Sequence, residues 1–175
     1  MKRIGLLSDT HSYIDDRICE LLSECHEIWH AGDIGDEGVT QKLSQIARLR
    51  VVYGNIDGGA LRVDFPEEIV EEIEGVKLWM IHIGGYPNRY PRSIRERIET
   101  LKPDLFVCGH SHILKVMYDH KNSLLHINPG AAGNKGFHKL RTMVRFTLDQ
   151  GNIKDLEVIE LGPRSVSSKA VNRTN

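Results

Sequence analysis

The sequence predicts an α/β fold with two packed sheets and helices on the outside. Apolar runs of strand length alternate with helically spaced segments through the first half, as a mainly parallel sheet requires. The middle and the C-terminal part then change to strands joined by tight turns. The total number of strands exceeds what one sheet usually holds.

Ile4–Ser8 is the first strand. Asp15 to Cys25 places Ile18, Leu21, Leu22 and Cys25 at helical spacing, with Asp15 or Asp16 as the cap. Glu27–His30 is the second strand. Val39 to Leu49 forms the second helix, with Val39, Leu43, Ile46 and Ala47 on one face, and Arg50–Tyr53 the third strand. Leu61–Phe65, Glu68–Ile73 and Val76–Ile83 read as strands, with Glu74-Gly75 as a hairpin signal. Pro91 to Lys102 is a helix with proline in its first turn. Leu105–Cys108, Lys115–Tyr118, Leu124–Ile127, Thr142–Leu148 and Ile153–Leu161 are further strands, the last two joined by a turn at Asp149–Asn152.

At 175 residues the chain fits one domain with a real core. That domain is expected over 1–162. The polar, aperiodic 163–175 segment is expected to be a disordered tail. A formal net charge of -1 gives no global basic field, which argues against non-specific nucleic-acid binding. No stretch approaches the roughly 20 apolar residues of a membrane span. The apolar run Ile4–Leu7 is too short for a signal-peptide core. Cys19, Cys25 and Cys108 show no paired spacing and fit a reducing compartment. A cytoplasmic protein is expected, with no membrane or nucleic-acid partner and with a homo-oligomer left open.

The chemistry is concentrated in five short stretches: Ser8-Asp9-Thr10-His11, Gly32-Asp33, Gly54-Asn55-Ile56-Asp57, Ile81-His82 and Gly109-His110-Ser111-His112. Each stands where a strand gives way to a loop. Asp9, His11, Asp33, Asn55, His82, His110 and His112 are the candidate metal ligands. Asp9 and His11 alternate around Thr10, so an extended strand end points both to one side. The same reasoning applies to His110 and His112, with Gly109 permitting a sharp exit. Asp33 is the best bridging candidate, because Gly32 before it lets the backbone turn tightly. Asn55 offers a neutral amide oxygen, which limits the negative charge facing an anionic substrate. Mixed imidazole and carboxylate ligation suits two transition metal ions, Mn, Ni, Fe or Zn, with Mn favoured.

In this order the motifs resemble those of the calcineurin-like metallophosphoesterase superfamily. The chain is most similar to its small single-domain group. That group contains YfcE-type and archaeal phosphodiesterases and the small subunit of eukaryotic retromer. The resemblance covers roughly residues 1 to 160 and implies a four-layer α/β/β/α sandwich. It also implies a phosphodiesterase that hydrolyses a small phosphate ester through a metal-bridging hydroxide. Asp9, His11, Asp33 and His112 would hold one metal, and Asp33, Asn55, His82 and His110 the other. Asn55 and His110 would also orient the phosphoryl group. Asn128-Pro129-Gly130 is similar to a turn such proteins carry near the site. Two positions depart from the pattern. Ile56 stands where many members have a proton-donating His, and Ile83 stands where a Gly often follows the lone His. A protein-binding scaffold on the same fold, as in retromer, is the alternative.

Tyr86, Arg89 and His138 are candidate substrate contacts, with Tyr90 and Lys135 beside them. His30 is a candidate for orienting a ligand. Asp57 reads as an Asx-type turn that fixes Asn55. His26, His120 and His126 read as structural or solvent-exposed.

Overall fold

The computed structural model describes residues 1–165; most of the expected tail, from 166 onward, lies outside the described residues. Among the described residues ten strands form two sheets of five. The first sheet contains β1 (Lys2–Leu7), β2 (Glu27–His30), β3 (Arg48–Val51), β9 (Leu140–Asp149) and β10 (Asn152–Pro163), in the order β10-β9-β1-β2-β3. The second contains β4 (Glu68–Ile73), β5 (Val76–Ile81), β6 (Leu105–Val107), β7 (Leu114–Asp119) and β8 (Leu124–Pro129), in the order β4-β5-β6-β8-β7. Each sheet has a parallel centre, β1-β2-β3 in one and β5-β6-β8 in the other, with antiparallel strands flanking it.

Alternation along the strands sets the layers. Ile4, Leu6, Trp29, Val144 and Phe146 face Val76, Leu78, Met80, Val107 and Ile127 between the sheets. Trp29 meets Phe146 edge-on, with ring centroids 5.5 Å apart. The opposite faces take the helices. Leu7, Ile28 and Val51 pack under α1 (Asp16–Leu22), α2 (Glu37–Ser44) and α3 (Ala60–Asp64). Trp79, Phe106 and Leu124 pack under α4 (Arg92–Leu101). The result is the expected four-layer α/β/β/α arrangement.

Asp15 caps α1 by accepting from the Ile18 N–H at 3.0 Å. Both predicted hairpins are present. Glu74 and Gly75, and Gln150 and Gly151, all have positive φ, the two-residue geometry whose twist matches the strands. Gly151 N–H donates to Glu74 C=O at 2.7 Å, which ties the two hairpin tips together.

Two expectations fail. Leu61–Phe65 is no strand but lies largely in the short helix α3. Its apolar residues alternate, yet only Leu61 and Phe65, four apart, pack on the core while Val63 is 84% exposed, so the run buries a helical face rather than a strand face. The second helix ends at Ser44, not Leu49, and the chain enters β3 at Arg48. Ile46 and Ala47 still pack on the outer core, which is why helical spacing persists past the helix.

The intersheet layer predicts its own test. Phe146→Ala should cost about 3–5 kcal/mol, seen as a lower urea midpoint at unchanged slope. A loss of under about 1 kcal/mol would show that this layer is not close-packed.

Candidate metal centre

All seven motif side chains sit beyond the carboxyl ends of parallel strands. Asp9 and His11 follow β1, Asp33 follows β2, Asn55 follows β3, His82 follows β5, and His110 and His112 follow β6. Open α/β sheets place ligands at this edge, and here both sheets contribute. Asp9, His11 and His112 offer ligand atoms within 4.8 Å of one another, and Asp33, His82 and His110 form a second such group. Asp33 lies between the groups. Its Oδ1 is 3.2 Å from His82 Nε2, and its Oδ2 is 3.8 Å from His11 Nε2. Asn55 Oδ1 stands 3.1 Å from His82 Nε2.

The backbone reaches this arrangement by another route than the extended alternation expected. The strands stop at Leu7 and Val107, and Asp9, His11, Asp33, His110 and His112 all have φ between 48 and 69°. A left-handed conformation costs a non-glycine residue roughly 1–2 kcal/mol. It persists where surroundings over-determine it, and such strain clusters at functional sites. Here Asp9 N–H donates to Gly32 C=O and His11 N–H to Asp33 C=O, both at 3.0 Å. His110 N–H donates to Asp9 Oδ2 at 3.1 Å. Gly32 has the expected tight turn, with φ of 94°. Gly109 serves close approach rather than a left-handed turn, since a Cβ there would lie 2.1 Å from Ser8 Oγ.

Proton placement fits a cation. Ala31 C=O can only accept, so His82 donates to it from Nδ1 at 2.7 Å and turns Nε2 toward Asp33 and Asn55. His138 Nε2 donates to Gly133 C=O at 3.0 Å, which leaves its Nδ1 to accept from His112 Nδ1 at 3.2 Å. With both rings neutral, His112 Nε2 then presents a lone pair 3.3 Å from Asp9 Oδ1. Among the described residues that carboxylate oxygen is buried without a hydrogen-bond partner. Lone pairs that converge on a buried carboxylate repel unless positive charge lies among them. The donor set therefore suits divalent cations.

Burial opposes charge on His82, but the Asp33 carboxylate outweighs it and raises the pKa. Burial likewise opposes charge on Asp33, and the hydrogen bond with His82 helps to reverse this and lower its pKa. At His11 burial prevails over the nearby Asp33 and Asp9, and its pKa falls.

The other candidates separate clearly. His138, expected at the substrate, uses both ring nitrogens inside the protein and braces His112. Arg89 is exposed on the loop after His82, as is Lys135 on the glycine-rich loop before His138. Tyr86 turns toward His126, with ring centroids 6.3 Å apart and its hydroxyl buried. Tyr90 is buried and bonds His126 at 3.2 Å. Asp57 does not make the expected Asx-type turn to the residue two on; it accepts backward from Gly54 N–H at 2.7 Å and from Ile34 and Gly35, which ties the Asn55 loop to the loop of Asp33. Asn128 has a part that sequence reasoning missed beyond noting its turn. Its buried amide donates to Gly109 C=O at 2.7 Å and Ser111 Oγ at 3.1 Å, pinning the His110–His112 loop.

A family model described as a calcineurin-like phosphoesterase superfamily domain matches residues 1–151. The chain belongs to the calcineurin-like phosphoesterase superfamily. It is 32% identical over 139 residues to a protein of Methanocaldococcus jannaschii named a probable metallophosphoesterase, covering 73% of this chain and 67% of that one. A similarly named protein of Methanothermobacter thermautotrophicus is 27% identical, covering 73% and 76%. Two solved structures share the fold. A single mutant of Vps29 from Entamoeba histolytica has a TM-score of 0.71 at 17% identity, covering 91% of this chain and 99% of that one. A structure described as a novel archaeal phosphodiesterase has a TM-score of 0.68 at 20% identity, covering 91% and 99%. Membership supports a phosphoesterase hydrolase that works with divalent metal ions.

His30 carries a prediction beside this centre. It is fully buried, accepts from Gly32 N–H at Nδ1 and meets Thr10 Oγ1 at 2.9 Å, and burial lowers its pKa to about 4. The unfolded ring titrates near 6.5. The unfolded state therefore binds the extra proton as pH falls from about 6.5 to 4, and stability falls with it, by about 3 kcal/mol at the low end. In EDTA-treated protein, His30→Gln should flatten the stability profile across that window by about one proton. An unchanged slope would show that His30 is not held neutral.

Proposed function

We propose that the chain is a dinuclear metal-dependent phosphodiesterase. The observation that carries this is Asp33, which turns one carboxylate oxygen toward each donor group. Asp9, His11, Asp33 and His112 would hold one cation, and Asp33, Asn55, His82 and His110 the other. The four imidazoles suit Ni, Fe and Zn, and the carboxylate and amide oxygens suit Mn, the ion favoured in this reading. When bound, two divalent cations activate a water as nucleophile and offset the charge on the phosphoryl oxygens.

The chain's own residues do the rest. Asn55 and His110, both exposed at the mouth, orient the phosphoryl group, and the neutral amide avoids adding repulsion. His138 holds His112 in the tautomer that points Nε2 inward. Arg89, exposed on the loop after His82, is assigned to the substrate side, whereas Tyr86 turns inward to His126. Ile56 occupies the position of a general acid, is 50% exposed, and has no proton to give. The leaving group must then depart as a weak base or be protonated by solvent. General acid catalysis is typically worth about 10²–10⁴-fold, so substrates with good leaving groups are favoured. The alternative is a partner-binding scaffold on the same fold; the complete donor set favours the enzyme.

With added Mn, bis-p-nitrophenyl phosphate should turn over much faster than a dialkyl phosphate, and Asp33→Ala should lose both activity and bound metal. Equal rates on the two esters would remove the argument from Ile56. Full metal content and rate in Asp33→Ala would remove the bridging role. Absence of hydrolysis with Mn, Ni, Fe or Zn would favour the scaffold.

His138→Ala should weaken metal affinity by about 10–100-fold, the usual cost of losing a residue that orients a ligand. Metal titration followed by calorimetry checks this. An unchanged affinity would show that the contact with His112 has no bearing on binding.

A further inference from the structure

A cleft of about 400 Å³ opens beside Asn55 and His82. It is larger than a phosphoryl group needs, and its walls differ in chemistry. On one side the Arg62 guanidinium lies over the Tyr53 ring, 4.7 Å from its centroid. Arg62 Nε donates to Asp57 C=O at 2.6 Å, and a terminal nitrogen reaches Asn55 C=O at 3.5 Å. Its donors thus go to backbone carbonyls of the Asn55 loop, not to a carboxylate. The result is a flat cationic plate, backed by an aromatic ring and fixed to the metal-site loop. Glu67 lines the same cleft and accepts from Tyr53 O–H at 3.3 Å. The other wall is apolar, formed by Ile81, Ile83, Pro91 and Ile94, with Ile83 48% exposed.

We propose that this cleft seats a planar, nitrogen-bearing aromatic substituent of the phosphate ester, of the nucleobase type, stacked on the Arg62 guanidinium. The inference rests on the phosphoesterase reading of the adjoining centre. Guanidinium planes stack on π-faces and are weakly hydrated, so a flat aromatic group gains from the contact where an alkyl group gains little. Glu67 supplies an acceptor for a ring or exocyclic N–H and disfavours a second anionic group. The isoleucine and proline wall takes the opposite face of the ring out of water. The substrate class is then a nucleotide-type diester with its phosphorus at Asn55 and His82 and its base in the cleft.

Adenosine 5′-monophosphate and ribose 5-phosphate differ only in the base, so their affinities isolate the cleft. Calorimetry on the full chain, with Mn and after EDTA treatment, should show the nucleotide binding at least about tenfold more tightly, given typical base-stacking strengths. Arg62→Ala should bring the ratio close to unity. Arg62→Lys, which keeps the charge and loses the plane, should do the same. Equal affinity for the two ligands in the unaltered protein would overturn the proposal. A ratio that survives in Arg62→Lys would also overturn it, by showing that binding of the base does not depend on the guanidinium plane. The enzymatic reading fails separately, through absent hydrolysis of bis-p-nitrophenyl phosphate, whereas the cleft is read from binding alone.

Discussion

Two buried carboxylates, Asp9 and Asp33, face imidazoles across the seam between the two sheets, and the architecture around them follows from that charge. A buried anion is costly unless paired or bound to a cation. Asp9 is partly compensated, since Oδ2 accepts from His110 N–H while Oδ1 has no partner among the described residues. Asp33 accepts from Ile56 N–H and faces His82 and His11. Divalent cations in each donor group would complete both accounts.

Holding that charge requires backbone that no strand or helix supplies. Five of the seven motif residues are left-handed, a conformation that Asp and His enter more readily than β-branched residues. The amides of Asp9 and His11 are tied to the neighbouring loop at Gly32 and Asp33, that of His110 crosses the seam to Asp9, and Gly109 N–H is tied to His82 C=O at 2.9 Å. The strain is borne by a frame with little freedom. Trp29, Phe146 and their neighbours fill the space between the sheets, and the hairpin tips at Glu74 and Gly151 join the sheets at the amino end of β5. The centre lies beyond the carboxyl end of that strand. Rigid positioning of ligands is thereby a property of the whole sandwich.

The sequence displayed the order of the motifs and their places at strand ends, because apolar runs stop abruptly at Ser8, Ala31 and Gly109. It displayed the hairpins through Glu74-Gly75 and Gln150-Gly151, where turn chemistry is local. The pairing of β9 with β1 joins segments far apart in the chain and leaves no local signal. Distance along the chain also hides the bracing of His112 by His138 and of the Gly109–His112 loop by Asn128. Alternation misled at Leu61–Phe65, where helix α3 carries Arg62 toward the Asn55 loop. The left-handed site residues were hidden for a related reason. An extended end and a left-handed turn can both bring residues two apart to one side.

The account turns on one carboxylate serving two cations. Electron paramagnetic resonance of protein loaded with manganese, alongside elemental analysis, addresses this directly. Asp33 shared between two ions predicts two manganese per chain and the broadened signal of a spin-coupled pair. One manganese per chain, or the resolved six-line pattern of isolated ions at full loading, would contradict it.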